Sequence, residues 1–278
     1  MAKVRGRRDG IRFARDAELE AGSDAHYTDP RYYASTYADR AEDVDYYVAL
    51  AVERGGPVLE YGCGNGRILL PVARAGLSVT GLDRSAPMVA DLRARLKLER
   101  PAVRDRARAR KGDMRSWRTK DRFPLVLCTF NTFLHLYNRR DVERFCARVV
   151  SHLTPRGRFV VDVSIPIPEE LARKPDKLHR TPRFKHPSTG EVVRYGERFD
   201  YDVLRQVLLV GMEFEPKDRP ADAWMTPLAH RQFFPQELEA LLHYNGLEVV
   251  DVHGDFVTSA PGQDVEELIF HCRRRRGF

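Results

Sequence analysis

Three glycines alternate at positions 62, 64 and 66, directly after the short apolar run Pro57 to Tyr61 and directly before a helical stretch, Arg67 to Ala75. Glycine lets the backbone turn sharply and pass close to a ligand, and the start of a helix leaves N–H groups without partners. A turn of this kind belongs at the rim of a sheet. The rest of the first half keeps the same rhythm. Leu77 to Leu82, Ala107 to Lys111, Leu125 to Phe130 and Phe159 to Val163 read as strands, the last two nearly continuous apolar runs. Ala86 to Leu98 and Asp141 to Leu153 read as helices, the second with Val142, Phe145, Val149 and Leu153 on one face and Thr154-Pro-Arg-Gly157 as its stop. Strands alternating with helices imply an α/β fold, a mostly parallel sheet with helices on both faces.

After Val163 the pattern changes. Residues 164–190 carry Pro166, Pro168, Pro175, Pro182 and Pro187, too many for regular helix, and 191–215 and 223–234 alternate as antiparallel strands do. Pro235 to Asn245 returns to a helix ending near Gly246, and Leu247 to His253 and Val265 to Cys272 supply two last strands. The layout expected is a basic, flexible arm over 1–22, a core over 23–163 and 235–272 with a Tyr-rich helical segment at its N-terminal side, and an inserted β cap over 164–234.

The chemistry is carried by acids at strand ends. A nicotinamide fingerprint, G-x-G-x-x-G, would place its third glycine at 67, where the chain has Arg67. The spacing is G-x-G-x-G instead, with Glu60 two residues ahead, a carboxylate suited to the amino end of a zwitterionic ligand. Asp83, followed by Arg84, ends the second strand, where an acid accepts both hydroxyls of a ribose. Lys111-Gly-Asp113-Met114 follows the third, where an acid and a backbone amide read an adenine edge. Arg67 is placed to meet a carboxylate or to stay exposed, and Met88 and Met114 to line an adenine pocket or the core.

These residues resemble the class I S-adenosylmethionine-dependent methyltransferases: Glu60-x-Gly62-x-Gly64-x-Gly66 is similar to their first motif, Asp83 to their ribose acid and Gly112-Asp113-Met114 to their adenine motif. The resemblance implies a Rossmann-like sheet of seven strands with the last antiparallel, and S-adenosylmethionine as cofactor, held by Glu60, Gly62, Gly64, Gly66, Arg67, Asp83, Arg84, Met88, Asp113, Met114 and Phe130. One departure is Phe123-Pro124, where the family commonly has an acid. Cys128-Thr-Phe130-Asn131-Thr-Phe133-Leu-His135 resembles small-molecule N-methyltransferases, including those of amino sugars, which implies an amine acceptor, with oxygen as the lesser alternative. His135 and Tyr33 are the candidate catalytic residues. His135 follows the fourth strand and an imidazole titrates near neutrality, although a structural histidine fits the same position. Tyr32, Tyr33 and Tyr37 either close over the ligand or pack the first helix on the sheet.

Net charge +7 suggests a nucleic-acid partner, but residues 1–15, 100–111 and Arg273 to Arg276 carry the excess, and the remainder has 31 basic and 38 acidic residues. With no N-P-P-[YF] motif after the fourth strand, an RNA methyltransferase is the alternative rather than the expectation; a nicotinamide-dependent oxidoreductase and a non-catalytic binding protein are the others. Asp251, His253 and Asp255 look metal-like but alternate beside a strand, and no metal is assigned. Four unpaired cysteines, no apolar run of membrane-spanning length and no secretory apolar segment point to a cytoplasmic protein, with no membrane partner, monomeric or homodimeric. Arg outnumbers Lys 39 to 8, the bias of a GC-rich bacterial genome.

Overall fold

The computed structural model describes residues 16–262 and 264–277. Three helices lead in: α1 (Asp16–His26), α2 (Pro30–Thr36) and α3 (Glu42–Arg54). The α/β core then runs β1 (Val58–Tyr61), α4 (Leu69–Arg74), β2 (Val79–Asp83), α5 (Ala86–Leu98), α6 (Pro101–Arg106), β3 (Ala107–Lys111), β4 (Phe123–Cys128), α7 (Arg139–His152) and β5 (Leu153–Ser164). After the short α8 (Pro168–Leu171) come β6 (His179–Lys185), β7 (Val192–Asp202), β8 (Val207–Pro216) and β9 (Trp224–Arg231). The chain closes with α9 (Pro235–Tyr244), β10 (Leu247–His253) and β11 (Glu267–Arg274).

Seven strands form one sheet in the order β10-β11-β5-β4-β1-β2-β3, parallel except for β11, which runs antiparallel to both its neighbours. Residues alternate between the sheet's two faces, so the strands feed two cores. One gathers Tyr61, Phe133, Phe145, Phe159 and Phe233, the other Tyr47, Leu69, Val72, Leu92 and Ile269. Helix starts are set by local capping: Ser85 accepts from Met88 N–H at α5, and Asn138 accepts from Asp141 N–H at α7. The strand order reverses around β1 and β4, and the crevice beyond their carboxyl ends is where such sheets bind ligands.

The second sheet, β6-β7-β8-β9, is antiparallel throughout. Its prolines sit where the ladder permits them. Pro182 and Pro227 lie in the edge strands β6 and β9, and the β6–β7 register slips between Arg180 and Arg183. Pro124, in the interior strand β4, coincides with a register slip against β5 between Phe123 and Leu125.

Two expectations need correction. Residues 16–22, assigned to a flexible arm, belong to α1, which packs along β9; the arm's residues 1–15 lie outside the described residues. The proline-rich stretch 164–190 holds a seven-residue strand, β6, as well as α8. Among the described residues no helix is long and apolar enough to cross a membrane.

Candidate active site

At the carboxyl ends of β1, β2, β3 and β4 lies a cavity of about 830 Å³ including its mouth. The glycine turn forms one wall. Gly62, Gly64 and Gly66 all take positive φ, at 68°, 51° and 90°. Gly62 and Gly64 border the cavity. A Cβ at Gly62 would collide with the Thr132 side chain, so turn and β4 loop meet backbone to side chain there. Gly66 lies behind, against Leu70 and Leu92, and serves packing.

Two acids back this turn. Asp83 accepts Gly64 N–H on Oδ2 at 2.7 Å and Ser85 N–H on Oδ1 at 2.8 Å, which locks the turn to the end of β2. Burial raises its pKa against those two hydrogen bonds. Glu60 is buried in β1 at 2% exposure. Its Oε1 takes a long bond from Thr129 Oγ1 at 3.5 Å, the Leu69 backbone N–H lies near the carboxyl, and its Oε2 has no hydrogen-bond partner among the described residues. Desolvation pushes its pKa to about 8, with Arg67 opposing and Asp83 adding. A buried carboxylate oxygen left bare is costly unless a ligand satisfies it. Glu60 does not itself border the cavity; it lies behind the glycine turn that does.

The opposite wall comes from α5, the β3 loop and α1. Met88, fully buried, and the partly buried Met114 give it apolar surface. Asp113 borders the cavity with its carboxylate chelated by Arg115, through the backbone N–H at 2.8 Å and the guanidinium at 2.5–3.1 Å. Burial alone would raise Asp113, but these bonds hold it below the ordinary carboxylate range. Arg115 also reaches Glu20 at 2.5 Å and Asp141 at 2.9 Å, while Arg84 pairs with Asp24 at 2.8 Å and Glu20 at 3.2 Å. Two acids of α1 thereby grip two arginines of the core across the cavity's mouth. Sequence reasoning missed Glu20, Ser23, Asp24 and Arg115; Glu20 and Asp24 stand one helical turn apart, a spacing hidden by the assignment of 1–22 to an arm.

The third wall follows β4. Phe130 and Asn131 both take positive φ, 54° and 62°, a conformation non-glycine residues hold only under constraint. Asp162 of β5 supplies it, accepting Phe130 N–H at 2.9 Å, Asn131 N–H at 3.1 Å and Tyr47 O–H at 2.5 Å. The Asn131 side chain bonds Ser164 through both its atoms, at 2.6 and 2.9 Å. Asp162 was read as part of a buried strand. A lone acid inside the apolar run Phe159 to Val163 was the signal.

Phe130 borders the cavity, with Tyr33 and Tyr37 edge-on at 6.3 and 4.7 Å. Arg67 does not border it: its guanidinium binds the buried Asp43 at 2.7 and 2.5 Å and lies 4.5 Å over the Phe130 ring, a structural role in place of the carboxylate contact expected. Tyr32 faces away, stacked on His186 of the cap at 5.0 Å. Tyr33 borders the cavity, and burial raises its phenol pKa, so it stays protonated.

His135, on the 3₁₀ turn Thr132–His135, also borders the cavity. Tyr27 O–H lies 2.8 Å from its Nε2 and Tyr137 O–H 3.2 Å from its Nδ1. Burial, with His230, His26 and Arg84 nearby, lowers its pKa well below the ordinary value. The expectation that it titrates near neutrality is therefore overturned; it is a neutral imidazole. His253 bonds Tyr46 at 2.8 Å and Asp251 at 3.2 Å, and Asp255 accepts from Val257 and Ser259 N–H groups, so each has a partner within its own strand or loop.

Residues 58–157 match the family described as "Methyltransferase domain". Residues 58–157 form a methyltransferase domain. That domain contains β1 through the start of β5, and with them Glu60, Asp83, Asp113 and His135; α1, α2 and the cap lie outside it. Over 126 residues, 45% of this chain, the protein is 29% identical to a dTDP-3-amino-3,6-dideoxy-alpha-D-glucopyranose N,N-dimethyltransferase of Streptomyces fradiae, and the match spans 46% of that relative, about half its length. The fold is that of the CcbJ methyltransferase from Streptomyces caelestis, with a TM-score of 0.71 at 22% identity over 84% of this chain and 95% of that one. It is also similar to CalS10, an amino pentose methyltransferase from Micromonospora echinaspora solved with bound SAM, with a TM-score of 0.60 at 20% identity over 96% and 100%.

Proposed function

We propose that the protein transfers a methyl group from S-adenosylmethionine to an amine nitrogen of a small molecule. The observation that carries the donor half is the bare, buried Glu60 Oε2 behind a glycine turn locked to Asp83. An amino group, a ribose and an apolar ring would meet Glu60, Asp83 and the Met88–Met114 wall in the order the strands present them. When bound, the cofactor supplies an electrophilic methyl on a sulfonium centre. The chain's own residues bind, orient and exclude water, and no side chain need form a covalent bond.

The acceptor half rests on three supports. The side chains bonded to His135 are neutral hydroxyls, which suit an uncharged nucleophile. The cap, 164–234, reaches the site through Ala229 beside Tyr137. The matched relatives include enzymes named for amino sugars.

The test is calorimetric titration with S-adenosylhomocysteine, with NAD as control, followed by a panel of nucleotide-linked amino sugars, amino acids and their hydroxyl analogues read by mass. One-site binding of S-adenosylhomocysteine alone and methylation confined to amines are the expected results. Binding only of NAD refutes the donor assignment, and methylation confined to hydroxyl analogues refutes the nitrogen assignment.

A further inference from the structure

Four side chains link the cavity to the free edge of the cap sheet. Tyr27 Oη lies 2.8 Å from His135 Nε2, His135 Nδ1 lies 3.2 Å from Tyr137 Oη, and Tyr137 Oη lies 2.9 Å from Ser23 Oγ. The far end of this chain fixes where its protons sit. Ala229, on edge strand β9, donates its N–H to Ser23 Oγ at 3.1 Å, and its carbonyl can only accept. Tyr137 O–H stands 3.0 Å from that carbonyl and Ser23 O–H 3.5 Å. The shorter contact is the effective bond, so the one hydroxyl proton of Tyr137 is taken up by Ala229.

The Tyr137 oxygen then accepts on its other side, which makes His135 Nδ1 the donor. A neutral imidazole has one N–H, so Nε2 is a bare acceptor and Tyr27 O–H turns inward to it. Among the described residues the Tyr27 oxygen makes no other hydrogen bond, and Tyr27 borders the cavity. What it offers a ligand is lone pairs only.

We propose that Tyr27 orients the acceptor: its oxygen accepts an N–H of a neutral primary or secondary amine and leaves the nitrogen lone pair facing the donor side of the cavity. This rests on the amine-methyltransferase reading. In the step itself the nitrogen lone pair forms the N–C bond as the methyl's bond to sulfur breaks, with that electron pair remaining on sulfur. The ammonium formed sheds its proton to water, and Tyr27 and His135 keep theirs. Because a tertiary amine has no N–H to give, methylation stops there and no quaternary product forms. His135, Tyr137 and Ser23 are positioning residues that act through Tyr27.

The test has two arms on the full chain. Nitrogen-15 NMR of the imidazoles, with and without S-adenosylhomocysteine, reads the His135 tautomer; Nδ1–H is expected, and Nε2–H overturns the inference whatever the activity. In the second arm, Tyr27→Phe lowers kcat for the best amine of the panel by about 10- to 100-fold, with S-adenosylhomocysteine affinity kept within about threefold. Unchanged kcat overturns the inference, as does a tenfold loss of S-adenosylhomocysteine affinity, which would place Tyr27 on the donor. If no amine is methylated by the unaltered protein while His135 is Nδ1–H, the polarity of Tyr27 stands and the acceptor reading falls.

Discussion

Glu60 carries the clearest signature a single residue leaves in this molecule. Its folded pKa of about 8 lies above the ordinary 4.5, so between those values the folded chain keeps a proton that the unfolded chain releases. The sign follows: the penalty is absent below pH 4.5, grows as pH rises, and is complete above about 8. The melting temperature is therefore expected to fall across that window, and Glu60→Gln flattens that part of the profile. A ligand ammonium against Oε2 ionises the carboxyl and expels its proton. Titrations with S-adenosylhomocysteine at pH 7 in phosphate and in Tris should differ in heat by up to about one proton's buffer ionisation. Glu60→Gln should abolish that difference and weaken binding by about 10- to 100-fold, the loss of a charged hydrogen bond of about 1.5–3 kcal/mol. A buffer-independent heat in the unaltered protein would count against Glu60 as the ammonium's partner.

Among the elements, the glycine turn is the least tolerant. Gly62→Ala needs a left-handed conformation and a Cβ placed on Thr132, so it should push the β4 loop off the cavity. The expected outcome is loss of S-adenosylhomocysteine binding with far-ultraviolet circular dichroism retained, whereas Gly64→Ala, which meets open space, should keep more of the affinity despite its own positive φ. Equal losses in the two variants would put the effect in strain alone. This wall was legible in the sequence because each part is local: strand, turn and acid lie within a few residues of one another. The arrangement around Phe130 and Asn131 was not, because Asp162, which holds it, sits 32 residues away on the next strand. The chain Tyr27–His135 and the clasp Ser23–Ala229 span 108 and 206 residues, distances that no periodicity encodes. β6 escaped notice because its proline is admissible only at an edge, and edge position is a property of the finished sheet.

At the scale of the whole molecule, α1 joins parts that sequence order keeps apart. It lies along the β9 edge, where Ser23 satisfies a backbone pair that would otherwise stand open, and it faces Arg84 and Arg115 with Glu20 and Asp24. The four charges are partly exposed, so each pair contributes modestly to stability. Their effect belongs to time instead. Were α1 to move for a ligand to leave, those contacts would have to part, and contacts between charges near water weaken as ions are added. Release of S-adenosylhomocysteine followed by stopped flow should quicken between 50 and 500 mM salt, by about three- to tenfold, and a double variant, Glu20→Gln with Asp24→Asn, should be fast at every concentration. A release rate indifferent to salt would mean that α1 is a fixed wall. If it responds, the protein's turnover ceiling is a dwell time, written in four side chains that never meet the methyl group.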